Sequence, residues 1–132
     1  ALSLKLGIIE HPIGDVPMDT MDSAELKNLA VVFLRKVNES LKQYIGPDAQ
    51  IGHAVFWGLS DECTFAEVCK FMDEHIIPVL EDYCVDEEIA QRIFGAMSPL
   101  MKHYSFGVEI ARLNTLDNEN RVEAIEGMLK NA

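Results

Sequence analysis

Nowhere in its 132 residues does the chain carry a run of eighteen apolar residues, so no stretch is expected to cross a bilayer as a helix. Basic residues are scarce: 11 Lys and Arg stand against 22 Asp and Glu, a formal net charge of −11 with a pI near 4.6. Nucleic-acid binding through phosphates needs clustered cations. That mode is not expected here, and neither is docking to an anionic membrane surface. A protein partner with a basic surface suits this charge. Three cysteines, Cys63, Cys69 and Cys84, cannot all pair, and they read as reduced thiols of a cytoplasmic protein. No charged segment followed by a clean apolar run and cleavage site is present, so no retained signal peptide is expected. The glycine-rich phosphate loop, the Gly-x-Ser-x-Gly elbow and the His-Glu-x-x-His pair are all missing. Without them no reaction can be named, and the enzyme reading ranks below a binding one.

What the chain does have is 48% apolar residues, enough for one packed domain, and a strongly acidic middle. Between Asp61 and Glu88 lie ten acids and a single cation, Lys70, so this fifth of the sequence holds nine of the eleven net negative charges. Thr64 and Glu67 form a capping-box pattern that opens a helix running to about Cys84. Phe65, Val68, Cys69, Met72, Ile76, Val79, Leu80 and Tyr83 follow at helical spacing and give one buried stripe. Pro78 lacks the N–H owed to the carbonyl of Glu74, which predicts a kink or a break into two shorter helices.

The rest of the chain reads as helix on either side of this segment. Leu2 to Ile9 alternates like a strand without a partner in the chain; it lies across the helices or pairs with its copy in a homodimer. His11 to Thr20 is a loop. Asp22, with Glu25 as the third helical residue and Met21 as a staple for Leu26, opens a long helix from Ser23 to Ile45, which Gly46 and Pro47 end. Ile51 to Leu59 is short and apolar, with Phe56 and Trp57 as core anchors, and reads as helix in preference to strand. Asp86 or Glu87 opens a helix to about Met97 with Ile89, Ala90, Ile93, Phe94 and Met97 inward. Ser98 and Pro99 then read as cap and first residue of a central helix to Leu113. It would bury Leu100, Met101, Tyr104, Phe106, Val108 and Ile110, with Gly107 admitting a close neighbour. After a turn at Asn114 to Asp117, Val122, Ile125 and Leu129 mark a last amphipathic helix.

The histidines lack ligand partners three or four residues away on their own helices, so no metal site is expected. An apolar pocket near Trp57, His75 and His103 is the alternative, since one histidine in an apolar helical pocket suits the proximal side of a haem. Cys63 precedes a helix start, where the dipole lowers a thiol pKa, but Asp61 and Glu62 oppose a second negative charge. The methionines Met72, Met97, Met101 and Met128 read as core fillers.

These observations predict an all-α fold, an irregular orthogonal bundle of about five or six helices, with residues 1–20 as an extended N-terminal segment and residues 21–132 as the helical core. The function they favour is a non-enzymatic protein–protein interaction module, a regulator, inhibitor or chaperone. Its partner-binding residues would be Glu67, Asp73, Glu74, Glu81, Asp86, Glu87 and Glu88, and no cofactor is expected. The alternative is the helical ligand or haem sensor using Trp57, His75 and His103.

Overall fold

The structure is a computed structural model that describes residues 18–52, 62–84 and 86–130. A 3-10 helix, Met18–Thr20, leads into α1, Ser23–Tyr44. The next helices are α2 (Phe65–His75), α3 (Ile77–Tyr83) and α4 (Glu87–Phe94). An antiparallel hairpin follows, with β1 Met101–Tyr104 paired to β2 Gly107–Ile110, then a 3-10 turn, Leu113–Thr115, and α5, Asn118–Lys130. The chain is therefore mostly helical. The expectations for Leu2 to Ile9, for the part of the loop from His11 to Pro17 and for most of Ile51 to Leu59, Phe56 and Trp57 included, lie outside the described residues.

α1 forms because its start is fully satisfied. The Asp22 carboxylate accepts the N–H of Glu25 at 2.9 Å, and the Glu25 carboxylate accepts that of Asp22 at 3.2 Å, a reciprocal capping box. Ala30, Val31, Val32, Phe33 and Leu34 are all buried, so α1 is enclosed around its whole girth at mid-length. It packs against α2, α4 and α5 and is the central helix. On its far side Asn38 clamps the following segment, accepting the N–H of Ile51 at 2.8 Å and donating to the Ile51 carbonyl at 3.1 Å.

The acidic helix breaks where the proline predicts. Ile76 (φ −113°, ψ −55°) ends α2, and Pro78 sits in the first turn of α3, where its missing N–H costs nothing. Thr64 caps α2 by accepting the N–H of Glu67 at 3.2 Å. The Glu67 carboxylate takes the Thr64 hydroxyl at 3.3 Å, so only half of the expected box forms.

The segment after α4 departs from the all-α expectation. α4 stops at Gly95, whose φ of 102° favours glycine, and Met97, expected inside, is 88% exposed. Ser98 caps a turn and not a helix: its hydroxyl accepts the N–H of Leu100 at 3.2 Å. From there alternation wins over helical spacing. Met101 and Ile110, a cross-strand pair, are buried, while Lys102, His103, Tyr104 and Glu109 are exposed. Ser105 and Phe106 make the turn, and Gly107 carries the chain back into the ladder at φ 146°. No neighbour comes within 4 Å of a Cβ at Gly107; a Cβ at Gly127 of α5 would meet the Phe94 carbonyl at 3.4 Å.

The hairpin is held to the helices mainly through the turn that follows it. The Asp73 carboxylate on α2 accepts the N–H of Leu113 at 2.6 Å and that of Asn114 at 3.0 Å. From α5, Arg121 donates to the carbonyls of Leu113 at 2.9 Å and Asn114 at 3.2 Å. Hydrogen bonds to charged groups contribute roughly 1.5–3 kcal/mol each when partly buried. Asp73→Ala should therefore lower unfolding free energy by about 2 kcal/mol in urea denaturation, well beyond the effect of Glu88→Ala, and equal effects for the two would contradict this role.

Candidate functional site

A cavity of about 700 Å³ opens between the α3–α4 junction and the hairpin. One wall carries Glu81 at the end of α3, Cys84, the α4 cap Asp86, then Glu87 and Ala90. The other wall is Phe106 to Ile110. Four carboxylates, from Glu81, Asp86, Glu87 and Glu109, border it, and among the described residues that line it there is no Lys or Arg.

Each of these acids is positioned by a neighbour. Asp86 accepts the N–H of Ile89 at 2.9 Å and so starts α4. Arg112 reaches Glu81 at 3.3 Å and also donates to the Ile110 carbonyl. His103 on β1 lies 3.1 Å from Glu87. A hydrogen bond to Glu109 raises the phenol pKa of Tyr104 above its ordinary value. At the hairpin tip the rings of Tyr104 and Phe106 stack at 5.1 Å and 7°. They are 45% and 85% exposed, an aromatic plate beside the acidic groove.

The seven acids predicted to face a partner thus divide. Glu81, Asp86 and Glu87 come together at the groove. Asp73 serves the fold, holding the Leu113–Thr115 turn. Glu67 and Glu74 lie along α2, the first on its cap and the second 3.9 Å from both Lys70 and His75. Glu88 pairs with Arg92 one helical turn on, at 3.0 Å, and Arg92 also covers the Tyr44 ring. Sequence reasoning missed Glu109, Tyr104 and Phe106. Their signal was the Ser105-Phe106-Gly107 turn between two short runs, His103-Tyr104 and Val108-Glu109-Ile110, which alternate.

The two histidines of the alternative site lie on different elements. His75 ends α2 with its ring 5.3 Å from Phe71 and its side chain 43% exposed. His103 is on a strand, not a helix, and its side chain is 52% exposed. Trp57 lies outside the described residues. The apolar enclosure that haem ligation requires is formed around neither histidine by the described residues. Among those residues no group of three His, Cys, Asp or Glu is arranged to hold a metal, and no helix is long and apolar enough to cross a membrane.

Among known protein families, the one described as "McrB, alpha-helical lid domain" matches residues 30–92. That stretch runs from the middle of α1 through α2 and α3 into α4, just under half of the chain. It contains the helical wall of the groove and excludes the hairpin wall. No curated protein and no solved structure matches the chain.

All three thiols are free and held protonated. Burial is the main cause in each case. It pushes Cys63 up despite nearby Lys27, and carries Cys69 up to about 12. Cys84 is raised to about 11 by burial, then by the negative charges of Glu81 and Asp86. The nucleophile is the thiolate, so alkylation of Cys84 by iodoacetamide should accelerate about tenfold per pH unit from pH 7 to 10, without levelling off. A plateau below pH 9 would contradict the placement of Cys84 against the two carboxylates.

Proposed function

We propose that the chain is a helical, non-enzymatic interaction module of the lid type, which closes on a protein partner bearing a basic surface. The observation that carries this reading is the groove between the α3–α4 junction and the hairpin, with its four carboxylates and no Lys or Arg among the described residues that line it. The family match supports it, because the stretch similar to an alpha-helical lid domain supplies the helical wall. Like charges gathered around one groove attract and orient an oppositely charged partner, and the attraction falls as salt rises. The bundle supplies the rigid support, since α1 is enclosed at mid-length and packs on both α4 and α5. Regulation through such docking is the role the module would serve, with residues 1–132 acting as one unit.

The carboxylates that hold the fold are unsuited to testing this, which removes Asp73, and Asp86 as the α4 cap. Glu87, Glu88 and Glu109 are exposed, and their combined change to glutamine should leave helical circular dichroism intact. With a decalysine probe at low salt, the triple variant should bind at least about tenfold more weakly and show a flatter salt dependence. Unchanged affinity and unchanged salt dependence would overturn the docking reading.

A further inference from the structure

Gly107, Val108, Glu109 and Ile110 all border the cavity. Successive side chains of a strand point to opposite faces, yet both faces of β2 contribute here and none of Met101–Tyr104 is among the described lining residues, which places the cavity along the outer edge of β2. The groove is therefore bounded by the margin of β2. Which backbone groups face it follows from the ladder. Ala111 donates its N–H to the Leu100 carbonyl at 2.7 Å, and the register pairs Lys102 with Glu109 and Tyr104 with Gly107. In an antiparallel pair, hydrogen-bonded and non-hydrogen-bonded partners alternate. Glu109 and Gly107 thus turn their backbone toward β1, and Val108 and Ile110 turn theirs away from it. Among the described residues the sheet has two strands; on this edge Arg112 donates to the Ile110 carbonyl at 3.3 Å, which leaves the backbone of Val108 as the open part.

An open edge is a template for another strand. Here the sheet face that carries Met101 and His103 looks toward the helical wall, where His103 lies 3.1 Å from Glu87, and Glu81 and Asp86 border the same cavity, with Glu109 and the stacked Tyr104 and Phe106 on the hairpin itself. Charge complementarity selects the occupant: an extended segment with lysine or arginine at alternate positions places every second side chain on the helical, acidic wall.

Resting on the docking reading above, we propose that the groove receives such a basic segment of a partner protein as a third strand, hydrogen-bonded to Val108 on the free edge of β2. The backbone bonds supply the fit and the carboxylates choose the side chains.

Two fluorescein-labelled peptides of about ten residues with alternating lysine and valine would test this, one unmodified and one N-methylated at every backbone amide. They share charge and differ in strand-pairing capacity. The unmodified peptide should bind at least about tenfold more tightly, near 1.4 kcal/mol, and should slow exchange of the Val108 amide hydrogen. Equal binding of both peptides with Val108 exchange unchanged would overturn strand addition while leaving charge-driven docking in place. Binding by neither peptide would overturn strand addition as well, and a decalysine that also failed to bind would remove the docking reading with it.

Discussion

The grip of two opposite charges on one short turn organises the half of the molecule that carries the groove. Asp73 takes the N–H groups of Leu113 and Asn114, while Arg121 takes their carbonyls. The turn's own bond, from the N–H of Leu116 to the Leu113 carbonyl at 3.0 Å, leaves the N–H groups of Leu113 and Asn114 without a partner inside it, and Leu113 is fully buried, so leaving its N–H unpaired would cost a desolvation penalty. Supplied from α2 and α5 together, the two side chains fix where the hairpin re-enters the bundle.

Everything at the groove follows from that placement. With the turn fixed, Met101 and Ile110 bury one face of the hairpin and Arg112 lies against Glu81 at the end of α3. His103 comes to Glu87 at the start of α4. The exposed ion pairs are worth little in stability, roughly 0–1 kcal/mol each. Their effect is to orient carboxylates along one side of a cavity whose other side is a strand edge. The break at Ile76 and Pro78 completes the geometry, because an unbroken helix would carry Glu81 along the α2 axis and not across to Arg112.

What could be read from the sequence was whatever depends on near neighbours. The capping box at Asp22 and Glu25, the cap at Thr64, the proline break and the cap at Asp86 are all decided within four residues, and each formed close to its expected place. Residues 99–113 read as helix because Leu100, Met101, Tyr104 and Val108 fit helical spacing, which hides the alternation from Val108 to Ile110. That misreading concealed Glu109 and the aromatic plate. It also assigned the central position to residues 99–113, although the six consecutive apolar residues from Leu29 to Leu34 mark α1 for it. Asp73 illustrates a different limit. Its partners lie 40 and 41 residues further along the chain, and nothing local distinguishes a carboxylate that caps a distant turn from one that faces solvent.

The most direct test is amide-resolved hydrogen exchange of Leu113 at neutral pH in the intact protein. If the Asp73 and Arg121 clamp organises the groove, the Leu113 amide should exchange as slowly as the central amides of α2, because it opens only when the domain unfolds. Exchange as fast as that of Ser105 at the hairpin tip, with α2 still protected, would show that the turn opens on its own and that the groove is not held in the way described.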